Sequence, residues 1–149
     1  MRFLLVSLVA VVVSFAPASI AAPPPITIGE VTSEVVREDV DMNLLLRGVL
    51  EQELSGVDVA KPARPRPAIL SLSLVRMDRE MAPNDKAQVT CVVSATVRDQ
   101  KKGALLAVLE GRARAENEQR LVALLERAAL KSAVRGALAR LPEALSAPR

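Results

Sequence analysis

The chain of 149 residues contains no histidine, no tryptophan and no tyrosine. The lack of histidine excludes imidazole acid–base chemistry, the triads built on it and most zinc sites together. Both phenylalanines, Phe3 and Phe15, fall in the N-terminal apolar stretch, so the rest of the chain has no aromatic ring. Stacking platforms for bases are therefore excluded, as are sugar clefts of the usual ring-stacked kind. The single cysteine, Cys91, cannot form an internal disulfide. Neither sign of charge dominates: 20 Lys and Arg against 17 Asp and Glu leave +3, too balanced to argue for nucleic acid. Beyond the first 22 residues no apolar run is long enough to span a bilayer.

What is present begins with an address. Arg2 supplies a basic start, residues 3–13 form an apolar run broken only by Ser7, and Pro17 ends it. Ser19-Ile20-Ala21 then places small residues at the spacing signal peptidase reads, the order of a secretory signal. Cleavage is expected after Ala21 or Ala22. Removing 22 residues leaves 127, near +2 without Arg2, which suffices for one core. The organisation expected is a signal peptide over 1–22 and a single α+β domain over 23–149. That domain would start at the stiff Pro23-Pro24-Pro25 and end in a frayed tail. The product belongs in a periplasm or outside the cell.

Hydrophobic spacing then gives the elements. A first strand is expected over 26–36, with Gly29 marking a bulge where the apolar parity changes. Asp41 caps a helix over 42–55 whose stripe is Met42, Leu45, Leu46, Val49, Leu50 and Leu54, with Glu51 and Glu53 outward and Gly56 ending it. Prolines alternate through Lys61-Pro62-Ala63-Arg64-Pro65-Arg66-Pro67, which reads as an extended linker. A second strand over 68–77 puts Leu70, Leu72 and Leu74 on one face. A third puts Val89, Cys91, Val93, Ala95 and Val97 on one face. A fourth returns over 104–116, with Leu105, Ala107, Leu109, Gly111, Ala113 and Ala115 inward. A register with Val97 opposite Leu105 and Cys91 opposite Gly111 fits that parity. Asn117 is the expected cap of a last helix running to Leu141, with Pro142 as its stop. The order strand, helix, strand, strand, strand, helix predicts a two-layer α+β domain, an antiparallel-rich sheet of about four strands under two helices. The small residues of the fourth strand and Ala129, Ala133 and Ala137 of the helix predict close approach of the two layers.

The stretch VTCVVSATVRDQKKGALLAVLEGRARAE followed by ALKSAVRGAL resembles, in layout, small periplasmic α+β domains. These are the domains of curli-secretion lipoproteins, of penicillin-binding-protein activator lipoproteins and of the amino-terminal part of Tol-system β-propeller proteins. The resemblance implies the fold and an interaction role. This chain lacks the lipid-bearing cysteine of those lipoproteins and their Gly-rich turn after the first helix.

Candidate contact residues form four groups. Lys61, Arg64 and Arg66 are a basic patch in the linker. Arg127, Lys131 and Arg135, with Arg120, are a second along the last helix. Arg112 and Arg114, with Arg98, are a third on the outer sheet face. Val92, Leu106 and Val108 are apolar on that same face and would form an exposed patch. Cys91 reads as a buried, inert thiol. Asp39, Asp41, Asp78, Glu80 and Asp85 read as turn and cap residues. No cofactor or catalytic residue is expected. The function read is an exported, non-catalytic structural or protein-interaction domain of the cell envelope. Its partner would be an envelope protein or a second copy, with an anionic surface as a further possibility. Two alternatives are a carrier or sensor of a small apolar or anionic, lipid-like ligand and a hydrolase using Ser or carboxylates.

Overall fold

The computed structural model describes residues 26–58 and 66–146. The expected signal peptide, the linker residues Lys61 and Arg64 and the last three residues lie outside these. The strands are β1 (Ile26–Ser33), β2 (Ala68–Ala82), β3 (Lys86–Asp99) and β4 (Leu105–Glu118). The helices are α1 (Met42–Ser55), α2 (Val122–Leu138) and the short α3 (Leu141–Ser146), with a 3-10 turn at Gln119–Leu121. The sheet runs in the order β1-β2-β3-β4. β1 is parallel to β2, because α1 carries the chain back across the sheet between them, and the remaining pairs are antiparallel hairpins.

The alternation expected for β2 and β3 is observed. Leu70, Leu72 and Leu74 are buried against Val97, Ala95 and Val93, and Val89 and Cys91 continue the inner row. α1 buries Met42, Leu46, Val49 and Leu50, and Asp41 caps it by accepting from the Asn43 and Leu44 amides at 3.0 and 3.1 Å. The bulge anticipated at Gly29 is present, since the register shifts between Ile28 and Val31. α2 lies on the same face as α1, over β3 and β4. A Cβ built on Gly111 of β4 would stand 1.8 Å from the Ala133 carbonyl oxygen, so the helix backbone rests directly on the strand. Ala129, Ala133 and Ala137 are buried beside that contact.

Several expectations are corrected. β1 ends at Ser33, whose hydroxyl accepts from the Val35 amide and donates to the Val35 carbonyl in a local turn. β2 runs on to Ala82, because a bulge at Val75 switches its parity and puts Met77 and Arg79 inward. The β3–β4 register sets Val97 opposite Ala107 and Cys91 opposite Ala113, two residues from the expected pairing. The loop accounts for one residue, since the Asp99 amide donates to the Ala104 carbonyl at 2.8 Å, and a bulge at the hairpin end for the other: Arg98 faces Leu105, so Leu105 is exposed, while Leu106 turns to pack against the core. The inner parity from Ala107 onward stands. Asn117 caps no helix. It pairs with Ala87 and Glu118 pairs with Lys86, so the ladder extends β4 instead. α2 stops at Leu138, and Pro142 occupies the first turn of α3, where its missing N–H costs nothing.

Candidate interaction surface

The outer face of the sheet carries no described helix, and the register maps it row by row. At the hairpin end Thr27, Ile69, Arg98 and Leu105 lie side by side, and the next row places Ser71, Thr96 and Val108. Thr32, Ser73, Ser94 and Glu110 follow, then Arg76, Val92 and Arg112, then Asp78, Thr90 and Arg114. Hydroxyl side chains therefore fill the middle, and the apolar residues are separated. Val92 stands four residues along β3 from Thr96, the neighbour of Val108, a distance of about 13 Å. The expected patch of Val92, Leu106 and Val108 does not assemble: Val92 is half-buried between two arginines, Leu106 packs inward, and Val108 is exposed beside a threonine. Arg114 donates to the Gln88 side-chain carbonyl, and Gln88 donates to Glu80 at 3.2 Å. Arg112 is exposed and joins no ion pair among the described residues.

The basic row of α2 divides in the same way. Lys131 and Arg135 reach across to Glu53 of α1 at 3.6 and 2.8 Å, tying the two helices together. Glu53 is thus not an outward residue. The Arg135 hydrogen bond, more than burial opposes it, holds its carboxyl below the ordinary value. Arg120 pairs with the neighbouring Glu118. Arg127 is exposed at the rim of a recess, and Arg66 is half-buried two residues before β2.

That recess is where the structure gathers what the sequence did not single out. Glu126, on the first turns of α2, accepts from Arg37 at 2.9 Å and from Arg79 at 2.5 and 2.7 Å. Arg37 comes from the β1–α1 connection and also donates to the Met77 carbonyl at 3.3 Å. Three elements are therefore held by one carboxylate. Burial alone would raise the Glu126 pKa, but the hydrogen bonds from Arg79 and Arg37 outweigh it and hold it below the usual range. The same hydrogen bond raises the Arg79 pKa further. Around this frame lies a recess of about 110 Å³, lined in part by Val40, Leu45, Ala123 and Arg127. That volume is well under the roughly 300–1,000 Å³ of ordinary ligand pockets. A second shallow recess, lined also by Val36, adjoins it through Arg37, Val40 and Met42. Val36 and Val40 stand 82% and 42% exposed there, an apolar tip beside Arg37, with Arg79 and Arg127 lining the first recess. The sequence signal was available as apolar residues flanking the charged turn at 37–39, but Val36 read there as the end of a strand.

Reactive groups are few. Cys91 has no exposed surface, and burial, with the Glu126 charge adding to it, pushes its thiol up to about 12. Such a thiol is not a nucleophile at neutral pH. Asp41 is a cap, Asp78 pairs with Arg76 at 2.9 Å, Glu80 accepts from Gln88, and Asp85 sits in the β2–β3 turn at φ 56°. Asp39 lines the recess. Among the described residues no group of three His, Cys, Asp or Glu is placed to hold a metal ion, and no helix is long and apolar enough to cross a membrane.

The chain matches no family model and no curated protein in sequence. Its fold has solved counterparts. A hypothetical protein from Chlamydia trachomatis superposes with a TM-score of 0.55 at 9% identity, covering 83% of this chain and 98% of that one. A protein from Xanthomonas campestris, of a domain family of unknown function, superposes with a TM-score of 0.52 at 11% identity, over 79% of this chain and 83% of that one. A minor lipoprotein from Acinetobacter baumannii gives a TM-score of 0.47 at 9% identity, over 82% and 93% of the two chains. At such identities the likeness is one of fold. The resemblance in layout read from the sequence stands as a likeness of architecture.

Proposed function

We propose that the chain is an exported, non-catalytic protein-interaction domain of the cell envelope, made as a signal peptide over 1–22 and one domain over 23–149. The observation that carries this reading is the tip. Two large apolar side chains, Val36 and Val40, line one shallow recess and are held in water there. The connection that bears both is fixed by Arg37 to Glu126 and to the Met77 carbonyl. Exposed apolar groups on a fixed frame with a charged rim have the make-up of a protein contact: an apolar centre, arginines and a polar border. The signal-like N-terminus supports export, and the inert thiol and the caps and ion pairs of the carboxylates support a role without chemistry.

The test uses the purified chain as bait against solubilised envelope protein, beside the variant V36S/V40S. The expected result is a retained partner for the wild type and its loss for the variant at an unchanged melting temperature. Retention equal in both, or nothing retained by the wild type, overturns the reading.

A further inference from the structure

β4 is an edge strand: β3 pairs along one side, and no described strand pairs along the other. An unpaired edge offers its backbone donors and acceptors to any strand that meets it in register. The charges of its outer face are ordered. They read Glu110, Arg112, Arg114, Glu116 and Glu118 along the strand, with Arg120 on the turn that follows, and all six are exposed. We propose that two copies of the chain join edge to edge through β4, antiparallel and two-fold symmetric about Ala115, so that two four-stranded sheets become one.

The charge order selects this register. With Ala115 on the axis, Arg112 faces Glu118 of the second copy and Arg114 faces its Glu116, and symmetry repeats each pair. Every cross-strand pair is of opposite sign, the arrangement that stabilises neighbouring strands. Sliding the second strand by two residues one way sets Arg114 against itself and Glu110 against Glu118. Sliding it the other way sets Glu116 against itself. Sliding by one residue turns the inner face of one sheet outward. Arg112, which joins no ion pair among the described residues, gains one in the selected register. The inward residues nearest the axis, Ala113 and Ala115, are small and half-exposed, so the incoming strand meets no bulky side chain there.

This inference deepens the interaction reading by naming a second copy as a partner, at a surface other than the tip. The test is light scattering on the purified full chain over a concentration series, with R112E and R112E/E118R. The wild type is expected to dimerise. R112E sets two glutamates together in both symmetric pairs and is expected to abolish the dimer, and R112E/E118R restores opposite signs and the dimer with them. Circular dichroism melts identify any variant that fails to fold. For A115C, mild oxidation is expected to give a disulfide-linked dimer, since Cα atoms across an antiparallel pair lie about 4.5–5.5 Å apart, while K102C in the hairpin loop gives none. A wild type that is monomeric throughout, or a dimer indifferent to R112E and not linked in A115C, overturns the inference. A monomer that still captures a partner through the tip overturns the edge pairing alone. A β4 dimer whose tip retains nothing overturns the tip reading alone.

Discussion

Gly111 and Ala133 meet where α2 comes closest to the sheet, and their sizes set the spacing of the two layers. Gly111 is needed there for close approach, because any Cβ would run into the Ala133 carbonyl and the Ala137 amide. Ala133 has no exposed surface, so a larger side chain has nowhere to go without moving the helix. A133L is therefore expected to lower stability by about 1–3 kcal/mol through overpacking, and G111A to fall at the upper end of that range despite adding a single methyl. Thermal or urea unfolding checks both; unchanged midpoints would mean that the layers are not in this contact. This part of the core was legible in the sequence, since small residues recurred at strand spacing in one segment and at helical spacing in the other. The positions of Leu105 and Leu106 were not legible. A bulge depends on how two strands meet at the hairpin, and two adjacent leucines carry no sign of which turns inward.

Among elements, the start of α2 is governed by partners distant in sequence. Asn117 has the side chain of a helix cap, yet β3 reaches Lys86 and offers β4 a ladder through Glu118, and the ladder prevails. The continuation of β2 was hidden for a related reason. Past Val75 its inward row contains Arg79, a charged residue that breaks the apolar alternation and is accommodated because Glu126 meets it. Glu126 thus fixes the β1–α1 connection, β2 and α2 to one another. E126Q removes the charge that both arginines share, and a loss of about 1–3 kcal/mol is expected near neutral pH. The pH dependence has a definite sign. The folded-state pKa of Glu126 is depressed below the 4.5 of the free carboxyl, so its contribution is present above that value and is lost as pH falls through the lower folded value. The gap in melting temperature between wild type and E126Q should therefore be full near pH 7 and close progressively in acid below about pH 4.5. A gap independent of pH would show that the ion pairs are not its source.

At the scale of the molecule, alternation and helical stripes sufficed for the α+β class, the element order and the burial of Cys91. The parallel pairing of β1 with β2 was not legible, because a strand's own pattern does not say which neighbour it takes. The contact surface was legible least. Residues chosen for charge on α2, Lys131 and Arg135, bind α1 instead, and the apolar tip is set by Arg37, which ties the connection after β1 to Met77 of β2 and Glu126 of α2. Its exposed side chains are the account's central claim. The most direct measurement is photo-crosslinking in the living envelope, with a photoreactive residue placed at Val36, at Val40 or, as a control, at Lys102. The account predicts a discrete adduct to a protein from each tip position and none from the hairpin loop. Adducts absent from both tip positions, or equal at all three, would contradict it.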